Sequence, residues 1–336
     1  MTSILVTGGA GYIGSHTCKA LERAGYRPVT IDDLSTGHRW AVKWGPLIEG
    51  GIGDRGLVRR TIEDYQIEAV IHFAANAAVG ESMENPYKYL HDNVVNSLEL
   101  LEAMRETRIR PIVFSSTCAT YGMPLRVPIS EAEPLAPVSP YGESKLFVER
   151  ALHWYGRVHG LAWVALRYFN ASGADPEGEI GEAHESETHL IPLAIEAALG
   201  QRPPLQVFGT DYPTPDGTAI RDYIHVEDLA DAHIKALQHL FSGGQDATLN
   251  LGIAQGYSVR EVIAAVERAG GRPVPALESG RRAGDPPSLV ADTKLVREVL
   301  SWKPRYGDLG AIVRTAWAWH ESRANRRGVA SFNSDP

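Results

Sequence analysis

The stretch SILVTGGAGYIG, residues 3–14, decides the fold. Ser3–Thr7 is a short apolar run, the pattern of a buried strand. Gly8, Gly11 and Gly14 then follow as G-x-x-G-x-x-G, and a helical pattern runs from about Tyr12 to Ala24. Glycine is needed where a backbone turns tightly, approaches a pyrophosphate and packs helix against strand. The N–H groups that open such a helix face an anion. A lone glycine pattern is also compatible with an ordinary turn; its place in the first strand–helix unit makes it a dinucleotide signature. The second strand, Arg27–Ile31, leads into Asp32 and Asp33. An acid at Asp32 would accept hydrogen bonds from ribose hydroxyls and repel a 2′-phosphate, so NAD is expected over NADP. Either acid can equally serve as a turn or capping residue in DDLSTG.

Outward from this unit, strand-like and helix-like stretches alternate. Ala69–Phe73, Ile112–Ser115 and Leu161–Tyr168 read as further buried parallel strands. Helical patterns fall near Leu57–Tyr65 and Tyr87–Glu106. The order predicts an α/β fold: a Rossmann-type doubly wound parallel sheet with a smaller C-terminal substrate-binding lobe. After Asn170 the pattern changes. Residues 171–185 read as a Gly- and acid-rich loop. His225–Phe241 returns to a helix, Thr248–Leu251 to a strand, and Val259–Ala269 to an amphipathic helix. The expected division is 1–170 for NAD, with returning segments about 221–252. The lobe would take 171–220 and 253–322, and 323–336 would be a polar, frayed tail.

The 336 residues suffice for a large core in two lobes. A net charge of −8 gives no reason to expect nucleic acid or an anionic membrane as partner. No apolar run approaches a membrane span, and MTSILVTGG lacks the flank of a signal peptide, so a cytoplasmic location is expected. Cys18 and Cys118 are expected as reduced thiols. The twelve histidines show no paired spacing beside carboxylates, so no metal is expected. His72 is read as packed at a strand end, and Trp317 and Trp319 as packing residues.

Tyr141-Gly142-Glu143-Ser144-Lys145 places a phenol and an ammonium one helical turn apart. Alone, the spacing is also that of an exposed helix pair. Beside a nicotinamide it gains a purpose, because a phenol of pKa about 10 ionises poorly at neutral pH. Adjacent cations favour the phenolate.

GGAGYIGSH, FSSTCATYG and SPYGESK occur in that order and resemble the extended short-chain dehydrogenase/reductase superfamily. RYFNASGA, the block GTDYPTPDGTAIRDYIHVEDLADAH (209–233) and RRAGDPPSLVAD narrow the resemblance to the UDP-glucose (UDP-galactose) 4-epimerase family. The likeness runs from about Ile4 to Trp319, and the 209–233 block is its most specific part. The resemblance implies tightly bound NAD and a UDP-sugar substrate. Tyr141 would take the proton of the sugar 4-hydroxyl as C4 passes a hydride to the nicotinamide. Lys145 would hold the ribose and lower the Tyr141 pKa, and Thr117 would relay or orient the proton. The 4-keto sugar would turn over and be reduced on its other face. Gly8, Gly11, Tyr12, Ile13, Gly14, Asp32, Asn93, Tyr141, Lys145 and Tyr168 are the expected cofactor residues. Arg221 and Arg282 fall in the motifs that bind the UDP diphosphate, to which the bidentate fork of Arg is suited. Thr117, Asn170, Asp285 and Leu289 match further substrate positions. Leu289 stands where the family controls room around the sugar, which leaves N-acetylated sugars open. Apolar positions on the 90–105 and 145–158 helices suggest a homodimer, the family's usual state.

Two departures bear on NAD retention. Ala77 stands where several members carry a Lys, and Gly51 where an Asp usually nears adenine. Sugar-nucleotide dehydratases carry an Asp-Glu pair where this chain has Cys118 and Ala119, and decarboxylases carry a Glu at the position of Ala119. Neither residue here can do that acid–base work. UDP-xylose/UDP-arabinose and UDP-N-acetylhexosamine 4-epimerases remain alternatives. A non-catalytic NAD-binding regulator is disfavoured by the Tyr–Lys pair.

Overall fold

The computed structural model describes residues 1–282 and 284–332, with side chains to residue 325. Its main sheet has seven strands, in spatial order Ala247–Leu251, Ala162–Tyr168, Pro111–Thr117, Ile67–His72, Ser3–Thr7, Arg27–Asp32 and Leu47–Glu49. All neighbours are parallel. Chain order reverses on either side of Ser3–Thr7, which puts the switch point of the doubly wound sheet at the Gly8–Gly14 turn.

Side chains on each strand alternate between two cores, as the period of two requires. Ile4 and Val6 join the first core with Cys18 and Leu21 of helix Tyr12–Arg23 and Leu229, Ala232 and Leu237 of helix Val226–Phe241. Leu5 joins the second with Val58 of helix Arg55–Tyr65, Leu100 and Met104 of helix Asn96–Thr107, and Val148 and Leu152 of helix Pro140–His159. Each fully buried aliphatic side chain contributes about 1.5–3 kcal/mol relative to exposure. The sheet is therefore covered on both faces, and its strand ends are what remains open for ligands. Val226–Phe241 and Ala247–Leu251 pack on this layer, and the latter pairs in parallel with Ala162–Tyr168.

Beyond the sheet, strand Ile220–His225 pairs with Asn170–Ser172, Gly256–Ser258 and Ser288–Leu289. Helices Leu190–Ala198, Val259–Gly270 and Leu309–Phe332 pack around a third core that includes Ile195, Val266, Ile312 and Trp317. Ser258 and Glu261 form the capping box that starts Val259–Gly270.

Three expectations change. The loop expected over 171–185 begins as strand Asn170–Ser172. Its acids are gathered by buried Lys19, whose Nζ lies 2.8 Å from Asp175, 2.9 Å from Glu177 and 2.7 Å from Glu179. The helix expected over 87–106 breaks into Pro86–Tyr89, a π-helical turn Leu90–Val95, and Asn96–Thr107. The wide turn carries the buried polar Asn93 inward, a device that π-bulges supply at functional sites. The tail expected to fray from Arg323 continues helix Leu309–Phe332, and residues 333–336 lie outside the described residues.

Candidate active site

Helix Tyr12–Arg23 starts at Gly11 with no side-chain cap and no acid in its first turn. Its first N–H groups are thus open to an anion, with no acid in the helix's own first turn. Gly8 has φ +72, and a Cβ on it would meet Ala74 N at 2.7 Å. A Cβ on Gly14 would sit 2.2 Å from Gly8 O, so the turn closes only with glycine at both places. Asp32 ends its strand nearly buried, with Oδ2 accepting from Ala10 N (2.9 Å) and Oδ1 from Leu34 N (2.9 Å). Burial raises its pKa, against those two hydrogen bonds. The carboxylate is fixed beside the turn with lone pairs left for ribose hydroxyls. The uncapped helix, the glycine turn and the placed acid fit a dinucleotide. Tyr12 donates to Gly173 O (2.6 Å), and Ile13 packs against the first core. Both bind the chain rather than project freely.

Helix Pro140–His159 carries the other half. Ser139 caps it by accepting from Gly142 N (3.2 Å), with Pro140 in the first turn. This start brings Tyr141 beside Thr117, the last residue of strand Pro111–Thr117. Burial pushes the Tyr141 pKa up to about 12, and the nearby Thr117 side chain opposes that rise. Lys145 is buried, donates to Ser115 O (3.0 Å) and lies 5.1 Å from the Phe114 ring centroid. Burial lowers its pKa to about 7. The Lys145 ammonium is held by the Ser115 carbonyl, and Thr117 is the neighbour that favours the Tyr141 phenolate.

Asn93 accepts from Asn76 N (2.8 Å) and donates to Asn76 O (3.0 Å) and Ser144 Oγ (2.9 Å). Tyr168 bonds Ser115 Oγ through its hydroxyl. Ser115, Ser144 and Asn76 were not singled out in the sequence, yet they hold three residues that were. The signal for Ser115 and Ser144 lay in their places within FSSTCATYG and SPYGESK; Asn76 had none. His72 is packed as expected, 2.7 Å from Thr7 Oγ1 and 2.8 Å from Ser97 Oγ. Burial, then Lys145, lowers its pKa to about 3.

Substrate candidates converge from the other side. Arg221 donates to Ile220 O (2.7 Å) and pairs with Asp285, while Leu289 lies opposite it in register. Asn170 donates to Asp222 O (3.0 Å). Leu289 and Cys118 pack on one cluster with Tyr121 and Phe169. Arg221 is also an electrostatic neighbour of Cys118, which in turn neighbours Tyr141, so the two halves meet at Cys118. Burial pushes the Cys118 thiol up to about 12, leaving no acid–base group at the place where elimination would need one. Arg282 is exposed, with its carbonyl accepting from Asp285 N (3.4 Å) and its guanidinium 3.9 Å from the Phe208 ring centroid. Both cysteines are free.

A doubly wound sheet with an uncapped glycine turn at its switch point and a Tyr–Thr pair at the strand ends defines a nicotinamide-dependent sugar-nucleotide enzyme. The NAD dependent epimerase/dehydratase family matches residues 4–252, and the chain belongs to it. It is an epimerase with NAD as cofactor. It is 52% identical over 326 residues to the UDP-glucose 4-epimerase of Rhizobium meliloti (strain 1021), covering 97% of this chain and 99% of that one. The UDP-glucose 4-epimerase of Brucella ovis, solved in complex with NAD, is 53% identical. It superposes with a TM-score of 0.93 over 95% of this chain and 98% of that one. The enzyme of Bifidobacterium longum, solved with NAD+ and UDP, is 36% identical with a TM-score of 0.91 over 96% and 99% of the two chains.

Proposed function

We propose that this enzyme interconverts UDP-glucose and UDP-galactose by inverting C4 through a 4-keto sugar. The observation that supports the reading is Tyr141 beside Thr117, with the adjoining Cys118 packed on one cluster with Leu289, the residue paired with Arg221. Tyr141 accepts the O4 proton and returns it, and Thr117 holds the phenol oxygen in line. Bound NAD would supply a reversible acceptor for the C4 hydride and a positive charge that favours the Tyr141 phenolate. Lys145, steered by Ser115 O, and Asn93 and Tyr168 line the nicotinamide side. Gly8, Gly11, Gly14 and Asp32 hold the adenosine diphosphate half. Arg221 and Arg282 take the UDP diphosphate, Asp285 orients Arg221, and Asn170 and Leu289 border the sugar. In this division the seven-stranded sheet serves NAD and the lobe serves UDP.

We further propose a homodimer. Tyr87, Val95, Phe147, Trp154 and Val158 are large, apolar and exposed on the neighbouring helical segments Pro86–Thr107 and Pro140–His159. Among the described residues no helix is long and apolar enough to cross a membrane, and soluble sugar nucleotides as substrates favour the cytoplasm.

The test is incubation of the purified protein, without added NAD, with UDP-galactose, UDP-glucose, their N-acetyl forms and UDP-xylose. UDP-galactose is expected to yield UDP-glucose with no net NADH. Stoichiometric NADH release, or turnover of UDP-xylose alone, would overturn the reading.

A further inference from the structure

Beside the dinucleotide turn, residues 182–189 read E-A-H-E-S-E-T-H, with Glu182, His184, Glu187 and His189 in the pattern E-x-H-x-x-E-x-H. This is a paired spacing of histidines beside carboxylates, so the expectation that the twelve histidines show none is corrected here. One ligand atom from each lies within 4.8 Å of the others. His184 Nδ1 is 3.2 Å from Glu182 Oε1 and 3.4 Å from Glu187 Oε2. His189 Nδ1 is 2.8 Å from Glu182 Oε1 and 2.9 Å from Glu187 Oε1. Donors about 2.0–2.1 Å from a tetrahedral zinc ion stand about 3.3 Å from each other, so the spacing matches the edges of such a site.

The carboxylates are built in rather than splayed on the surface. Both glutamates are buried, at 3% and 8% exposure for Glu182 and Glu187. Glu182 Oε1 is buried without a hydrogen-bond partner, although both imidazole nitrogens approach it. A buried carboxylate oxygen needs a cation beside it, either a metal ion or the two imidazoliums at 3.2 and 2.8 Å. Glu187 Oε1 accepts from Thr188 N (2.7 Å) and His189 N (2.7 Å), which orients its carboxylate as outer-shell contacts orient metal ligands. The Glu182 carbonyl accepts from Trp319 Nε1 (2.7 Å) of helix Leu309–Phe332. His38 lies 2.7 Å from Ala183 O, and the Tyr12 and His184 rings meet edge to face at 6.4 Å. His189 is the residue before helix Leu190–Ala198. The segment thus touches the dinucleotide turn, the loop after Asp32 and two helices of the lobe.

We propose that Glu182, His184, Glu187 and His189 bind one divalent transition-metal ion of the zinc class, as a structural cross-link between the lobe and the dinucleotide turn. Two carboxylates neutralise the ion, and two neutral imidazoles complete an N₂O₂ set suited to zinc. No step of the sugar chemistry needs it. The competing arrangement is a metal-free quartet of imidazolium and carboxylate.

The test uses tag-free full-length protein. After dialysis against EDTA and removal of the chelator, Co²⁺ is titrated while its visible ligand-field absorption is followed. One equivalent is expected to bind with the intensity of a tetrahedral site, and zinc to displace it and raise the thermal midpoint. His184→Ala, at a half-exposed position, is expected to weaken cobalt binding at least about tenfold with the fold intact by circular dichroism. A wild-type protein giving no saturable cobalt band and no zinc-dependent shift in midpoint would overturn the site and leave the ion-pair quartet. Equal cobalt binding by wild type and a folded His184→Ala variant would overturn it too.

Discussion

Tyr141 and Lys145 share a helix face, but different neighbours hold their protons. Thr117 lies beside the phenol and favours its ionised form, and Ser115 O takes the ammonium. Tyr141→Phe removes one oxygen and leaves the packing in place. Turnover is expected to fall about 10²–10⁴-fold while calorimetry finds UDP binding unchanged. Lys145 carries a separate signature. Burial lowers its folded pKa to about 7, below the unfolded value near 10.5. The folded state therefore disfavours the proton: the penalty is full below about pH 7 and disappears as pH rises toward 10.5. Thermal melts between pH 7 and 10 are expected to show a rising midpoint in the wild type that is flattened in Lys145→Met. Identical slopes would mean that the lysine is not held in this low-dielectric position. The roles of Tyr141 and Lys145 were legible as a spacing. Their electrostatics were not, because burial and the Ser115 carbonyl come from a strand 30 residues earlier in the chain.

Among the elements, the Gly8–Gly14 turn is constrained most sharply. Gly14→Ala would place a methyl 2.2 Å from a backbone oxygen that no rotamer can move. The turn must open, and the purified variant is expected to retain far less NAD, read as the absorbance of cofactor released on denaturation. Undiminished NAD content would refute the close approach. This element was wholly readable, because glycine spacing after an apolar run encodes a backbone path directly. The helix expected over 87–106 was readable only in outline. Its apolar period continues through Leu90–Val95, but burying Asn93 against Asn76 and Ser144 widens one turn. Hydrogen-bond partners that lie on other elements leave no trace in a helical period.

For the whole molecule, the exposed apolar residues on Pro86–Thr107 and Pro140–His159 form a surface that a second copy would cover. Light scattering at micromolar concentration is expected to give twice the chain mass of 36.6 kDa. Trp154→Glu, at 59% exposure, is expected to shift the mass toward the monomer. A monomeric wild type would reject the dimer. The return of Val226–Phe241 and Ala247–Leu251 to the main sheet was legible from their apolar patterns. The grouping of Arg221, Asp285 and Leu289 was legible only through resemblance, since strand Ile220–His225 meets Ser288–Leu289 by pairing over a long separation.

The amino-acid order alone determined the alternating strands and helices, the dinucleotide turn and the Tyr–Lys spacing, because these depend on period and on glycine conformations local to the chain. The tertiary structure decided which groups share a dielectric and a neighbour. It put Lys145 on the Ser115 carbonyl, packed Cys118 and Leu289 on one cluster, and drew two histidines and two buried glutamates to one point. Burial and proximity between distant segments set proton affinities and ligand sets, and both exist only once the chain has folded.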